Sequence, residues 1–158
     1  MQNIYTYYYK FEIGYLKLSY TDLSIVGLVR AEEDQILTNS NYSNSLLKEA
    51  IKQLDEYFSG QRIEFDLPLQ FSGTEFQKEV WKALINIPYG ETRSYKDIAI
   101  EIGNPKACRA VGGANNKNPI ILICPCHRVI GASGKLVGYG GGMDMKEYLL
   151  NLEKSYLK

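Results

Sequence analysis

Residues of high β preference fill Tyr5 to Phe11, Leu16 to Tyr20 and Ile25 to Arg30, and Gly14 and Thr21-Asp22 punctuate them; the pattern predicts three strands. The period then changes. Leu47, Ile51, Leu54 and Phe58 recur at helical spacing, so a helix is expected from about Asn44 to Phe58, ended by Ser59-Gly60. Residues 61–72 show no clean period and are read as the connection between two domains. Beyond it, Thr74-Glu75-Phe76-Gln77 has the form of a capping box, with Phe76, Val80, Ala83 and Leu84 as the apolar face of the helix that follows and Trp81 as core beside it. Ser94 is placed to cap a helix from Tyr95 to Ile102 that stops at Gly103. Asn104-Pro105 reads as a cap and first-turn proline for a second helix, Lys106 to Asn115, so the two form a helix-turn-helix. Ile120 to Ile123, apolar throughout and bounded by Pro119 and Pro125, is expected as a short buried strand, and a last helix as running from about Asp144 to Leu157.

Composition adds little to this outline except by distribution. With 158 residues, 45% apolar and 23% charged, the chain is of globular type. Its 18 basic and 18 acidic residues cancel, but residues 1–70 hold six of the basic and ten of the acidic ones. The second half is therefore the one suited to face a polyanion. No apolar run is long enough to cross a bilayer, and the N-terminus lacks the zones of a signal peptide, so an intracellular, cytoplasmic protein without membrane contact is expected. Three cysteines, all after residue 107, indicate reduced thiols rather than a disulfide framework. The tyrosines at positions 5, 7, 8 and 9 are read as sheet-covering residues, and Glu32-Glu33-Asp34 as a solvated loop.

The chemistry gathers in Asn118 to Ile130, which holds Cys124, Cys126 and the chain's one histidine, His127. A thiol beside an imidazole is a nucleophile next to a candidate base. In the last helix Glu153 follows Leu149 and Leu150 by four and three residues and shares their apolar face, whereas Glu147 points away. A core-facing carboxylate needs a partner, and the arrangement suggests Glu153 orienting His127 toward Cys126 in the manner of a triad. A zinc site is disfavoured because Cys124-Pro125-Cys126 lacks the Cys-x-x-Cys spacing; no metal and no cofactor are expected. A structural cysteine beside a satisfied histidine is the plainer alternative. The glycine run ending in Gly140-Gly141-Gly142 lacks the phosphate-loop ending and is read as backbone free to press on a flat ligand, or as a flexible loop.

Ile87-Pro88-Tyr89-Gly90-Glu91-Thr92, Ser94-Tyr95, Arg109-Ala110-Val111-Gly112, Asn118-Pro119, Pro125-Cys126-His127-Arg128-Val129-Ile130, Gly141-Gly142 and Lys146-Glu147-Tyr148-Leu149-Leu150 together resemble the 6-O-alkylguanine-DNA alkyltransferases, also called methylated-DNA-protein-cysteine methyltransferases. The N-terminal part is similar chiefly through Ile13-Gly14-Tyr15-Leu16 and the order of strands and helix. The resemblance implies an α+β chain: an N-terminal ribonuclease-H-like domain over residues 1–72, with a small antiparallel sheet and a helix, and a mainly helical, winged-helix-like DNA-binding and alkyl-acceptor domain over 73–158.

It further implies single-turnover transfer of an alkyl group from 6-O-alkylguanine, with 4-O-alkylthymine as a second candidate, to Cys126. The helix-turn-helix would enter the minor groove of duplex DNA, Arg109 would replace the flipped nucleotide, and Tyr95 would help rotate it and contact the base. Phosphate contacts would come from helix ends, where Ser94 and Asn104 stand, and Gly112 would allow close approach. His127 would act as base through a water, Glu153 would orient it, and Asn118 would position the thiol. Val129, Tyr139 and Gly140 would line the guanine pocket with Tyr95, and the protein is expected to act as a monomer. Two departures stand out: Cys108 and Cys124 occupy positions where small or branched apolar residues are expected, and no Cys or His precedes residue 108 to hold an N-terminal zinc. A lesion-binding module without transfer, and a helix-turn-helix regulator switched through Cys124 and Cys126, are the competing functions.

Overall fold

The computed structural model describes residues 2–36, 42–134, 136 and 138–157. It divides into two compact units, Met1–Phe71 and Ser72–Lys158.

In the first unit, β1 (Tyr5–Phe11), β2 (Gly14–Tyr20) and β3 (Ile25–Ala31) form an antiparallel meander in the order β1-β2-β3. Leu16, Leu18, Tyr20, Ile25 and Leu28 have no exposed surface and make one face of the sheet the core. Helix α1 (Ser45–Phe58) starts at Asn44, whose side chain accepts from the Leu47 amide, and buries Leu47, Ala50, Leu54 and Tyr57. The Tyr9 hydroxyl donates to Asp55 at 2.6 Å, joining helix to sheet. Glu33–Gln35 form one exposed 3-10 turn where a plain loop is expected. The aperiodic segment after α1 is pinned rather than loose. The Gln53 amide both donates to the Asp66 carbonyl and accepts from the Asp66 amide, and residues around Leu69 pair in parallel with Ile25.

The second unit opens with α2 (Glu75–Ile85), entered through a reciprocal Thr74–Gln77 capping box. Val80, Trp81 and Leu84 are buried, and the Trp81 indole donates to the Ala114 carbonyl at 2.9 Å. The two-residue strand β4 (Arg93–Ser94) leads straight into α3 (Tyr95–Glu101), capped by Ser94 and Asp97 in a second box. Helix α4 (Cys108–Asn116) follows. It begins later than its sequence suggests: Asn104 and Pro105 belong to a turn closed by the Ala107 amide on the Asn104 carbonyl, so Asn104 is not a cap. The Ala107 backbone, at φ −94° and ψ +24°, departs from helical geometry, so α4 starts only after it. The unit ends with β5 (Val129–Ile130), which pairs in parallel with β4, and α5 (Met143–Tyr156).

Residues 120–123 are not a strand. Leu122 sits at φ +74°, the Cys124 amide donates back to the Ile120 carbonyl, and the segment doubles on itself while staying buried. Asn118 is the cause. It accepts from the Ile120 amide at 3.0 Å and donates to the Cys124 carbonyl at 2.7 Å, drawing both ends of the segment together.

Candidate active site

Directly after that turn, Cys126–Arg128 form a single 3-10 turn, and all three residues are buried. Helix α5 presents Glu153 to it. One carboxylate oxygen lies 2.6 Å from His127 Nε2. Arg128 grips the same carboxylate with two parallel bonds of 2.9 Å and sends a third, of 2.7 Å, to the Ile87 carbonyl. The Gly90 amide adds a fourth donor at 3.2 Å. Burial alone would raise the Glu153 pKa, but the bonds to His127 and Arg128 and their charges prevail and hold it well below the usual carboxylate range.

An ionised Glu153 fixes the imidazole tautomer. Its oxygens only accept, so Nε2 carries the proton and Nδ1 keeps its lone pair. Nδ1 is buried and has no hydrogen-bond partner among the described residues. Burial first, then the charges of Arg128 and Lys146, lower the His127 pKa against the pull of Glu153, so the ring is neutral near pH 7.

The Cys126 thiol is pushed up to about 11 by burial, opposed by the Asn118 amide, the Lys146 charge and the Tyr139 hydroxyl. The resting pair is thus a thiol and a neutral imidazole with a bare nitrogen, which is the starting condition for general-base activation of a nucleophile.

Tyr95 lies beside this group; burial and then the neighbouring Cys126 raise its pKa and keep its hydroxyl protonated. A Cβ on Gly138 would stand 3.5 Å from that hydroxyl and 3.3 Å from the Asn116 side chain, and one on Gly140 would stand 3.2 Å from the Asn116 carbonyl. The glycine-rich loop therefore lies against the end of α4 and Tyr95, with Tyr139 buried and Gly140 exposed. Val137, its first residue, lies outside the described residues. Val129 is fully buried in the strand that leaves the turn.

The structure thus gathers Cys126, His127, Glu153, Asn118, Tyr95, Val129 and Tyr139 around one turn, whereas Gly140 is exposed against the Asn116 carbonyl at the end of α4. Arg109 and Asn104 are set apart, exposed on the helix-turn-helix, with Ser94 and Gly112 partly covered. The exposed stripe of α4 is Arg109, Ala110, Gly113 and Asn116, and Lys117, which caps the helix, is exposed beyond it. A Cβ on Gly113 would meet nothing, so internal packing does not require glycine there. In a helix it costs about 1 kcal/mol relative to Ala. A flush surface flanked by Arg109 and Lys117 suits close approach of a polyanion.

Sequence reading missed Arg128 and Lys146. The second was within reach: Lys146, Leu149, Leu150 and Glu153 stand at i, i+3, i+4 and i+7, one helix face, and Lys146 is indeed fully buried. Cys124 also finds its place. Its thiol donates to the Trp81 carbonyl at 3.5 Å in the core, and Cys108 sits at the start of α4 with its sulfur 3.9 Å from the Pro105 carbonyl.

Gly90 holds the site from behind. It has φ +79°, and a Cβ there would come within 2.4 Å of Leu157. Gly90→Ala is expected to cost about 1–2 kcal/mol from the left-handed backbone alone, more with the clash, and to loosen a donor to Glu153. Urea unfolding midpoints check this; an unchanged midpoint contradicts it.

Two family descriptions match the chain: the ribonuclease-like domain of 6-O-methylguanine DNA methyltransferase over residues 4–71 and the DNA binding domain of the same family over 75–155. A methylated-DNA–protein-cysteine methyltransferase of Methanosarcina barkeri is 60% identical over 116 residues, 73% of each chain. The crystal structure of the Mycobacterium tuberculosis O6-methylguanine methyltransferase superposes with a TM-score of 0.89 at 46% identity, covering 99% of this chain and 96% of that one. Mycobacterium tuberculosis OGT in complex with DNA gives 0.85 at 49% identity, covering 94% and 92%. With both halves matched, and a buried Cys126-His127 pair whose imidazole is bonded to Glu153 in the second, the chain belongs to the 6-O-methylguanine DNA methyltransferase family.

Proposed function

We propose that the protein repairs DNA by moving an alkyl group from the 6-O position of a flipped guanine to Cys126, once per molecule, and that it does so as a monomer. The observation that carries this is the relay itself: a thiol held protonated by burial, followed in the chain by an imidazole whose proton is fixed on Nε2 by Glu153. In the proposed step the Cys126 proton passes through a water to His127 Nδ1, and the imidazolium gains the Glu153 carboxylate as its counter-charge. The Cys126 sulfur then bonds to the alkyl carbon as the carbon–oxygen bond breaks, and the electron pair stays on the guanine. Tyr95, kept protonated in the site, donates to the departing base. A thioether is not cleaved by water, so the protein is spent.

A base inside a duplex cannot reach a buried thiol, so the nucleotide must leave the stack. Arg109 is exposed on the flush face of α4 and would fill the gap, with Ser94, Asn104 and Gly112 along the same helix-turn-helix contacting the backbone. Val129, Tyr139, Gly140 and Tyr95 would enclose the base, and Asn118 would hold the turn that aims the thiol.

Duplex carrying a radiolabelled methyl group on guanine oxygen tests this. Label on Cys126 itself, located by fragment-ion sequencing of the peptide that also carries Cys124, is expected; tight binding without transfer would leave a lesion-binding module, and label confined to Cys108 or Cys124 would refute the assignment. Arg109→Ala should slow repair in duplex at least about tenfold, by analogy with the few kcal/mol that unstacking costs, while reaction with the free alkylated base is unchanged. Equal losses on both substrates would remove the finger role.

A further inference from the structure

The relay leaves one buried charge without a task. Lys146 on α5 has no exposed surface, and its Nζ donates to the Val129 carbonyl at 2.5 Å, three residues beyond Cys126. Its charge acts on the Cys126 sulfur. A buried ammonium is costly, and an apolar side chain of similar length would fill the same space without that cost. The Lys146 charge is felt by Cys126 and His127, both on the 3-10 turn. Along its own helix, Glu153 is engaged by His127 and Arg128. Tyr95 and Tyr139 face Cys126 from α3 and the glycine-rich loop.

We infer that Lys146 is a positioning residue for the transfer reaction: its ammonium anchors the Val129 carbonyl, and so the turn carrying Cys126, and its positive charge stabilises the thiolate that forms when the Cys126 proton leaves. This rests on Cys126 being the alkyl acceptor. The anchoring half is a matter of shape; the electrostatic half has a signature that shape does not. Burial lowers the Lys146 pKa to about 8, partly offset by Cys126. Above that pH the ammonium loses its proton and its support for the thiolate disappears, so the gain in rate from added base should flatten near pH 8.

The test uses the full-length protein and iodomethane, which needs no DNA: the thiol gives up its proton, the S–C bond forms as C–I breaks, and iodide leaves. Methylation of Cys126 is followed by peptide mass, which separates it from Cys108, and by fragment-ion sequencing, which separates it from Cys124 on the same peptide. Lys146→Met is expected to react about 10- to 100-fold more slowly at pH 7, equivalent to one or two pKa units of lost thiolate stabilisation, and to lose the break near pH 8. A Lys146→Met rate equal to the unaltered protein's, or a profile of the same shape, overturns the inference. Should that variant fail to fold, the unaltered protein decides alone: a break near pH 8 supports the role, and a log-linear rise through pH 9 refutes it. Absence of transfer from alkylated DNA, with the iodomethane results as expected, would sink the repair function and leave only the effect of Lys146 on the Cys126 thiol.

Discussion

Transfer from alkylated duplex to Cys126→Ala is expected to fall at least about 10⁴-fold, the scale of losing a nucleophile that works within a relay, while affinity for the DNA persists. No other thiol can take over. Cys124 is wholly buried with its sulfur turned to the Trp81 carbonyl, and Cys108 lies at the start of α4, in the helix-turn-helix rather than at the relay. The groups proposed to contact DNA, by contrast, lie along the helix-turn-helix, with Arg109 and Asn104 exposed, and do not depend on the sulfur. Loss of one buried sulfur should cost only about 1 kcal/mol of stability. Single-turnover transfer measured beside equilibrium binding on the same duplex checks both halves. Residual transfer within about a hundredfold of the unaltered protein would mean that Cys126 is not the acceptor.

Glu153→Gln should damage rate and stability together. The amide presents one oxygen and an N–H₂ to four donors, Arg128 Nε, Arg128 Nη2, His127 Nε2 and the Gly90 amide. A buried guanidinium then lacks its counter-charge, which costs about 3–5 kcal/mol. The imidazole loses the acceptor that fixes its tautomer, which in a comparable relay lowers the rate about 10⁴-fold.

The pH dependence follows from the directions of the two shifts. The native Glu153 carboxyl is held below the usual range, so its contribution is complete above about pH 4.3 and is lost as the pH falls further, when the unfolded chain takes up the proton first. His127 is also lowered in the native state, so below about pH 6.5 the unfolded chain again binds the extra proton and stability declines. Urea midpoints at several pH values should show both windows in the unaltered protein and only the upper one in Glu153→Gln. A variant of unchanged midpoint and rate would remove Glu153 from the relay.

Most of the architecture is legible from local signals that tertiary packing does not override. The Thr74–Gln77 and Ser94–Asp97 boxes start α2 and α3 where the residues say they should, and Asn44 caps α1. Two readings fail where the backbone departs locally from the expected geometry. Asn118 bends an apolar run that would otherwise extend, and α4 starts only after the non-helical Ala107. Within the site, Cys126, His127 and Glu153 are recognisable because their types and helical spacing announce a relay. Arg128 is harder to find: its role depends on a carboxylate 25 positions away and on the Ile87 carbonyl, neither encoded near it. The cysteine at 124 is explained by its place in the core rather than by chemistry.

The pairing of β4 with β5 is only two residues long, yet it joins Arg93–Ser94, which run directly into α3, to Val129–Ile130, which run directly out of the Cys126–Arg128 turn. It acts as a gauge block. On the proposed docking, whatever depth the helix-turn-helix reached on a duplex, the sulfur would be carried along at a set offset, so seating the one would be enough to aim the other. A substitution that let this short ladder slip by one residue would leave each part intact and still spoil their alignment, since a one-residue slip turns every side chain to the opposite face.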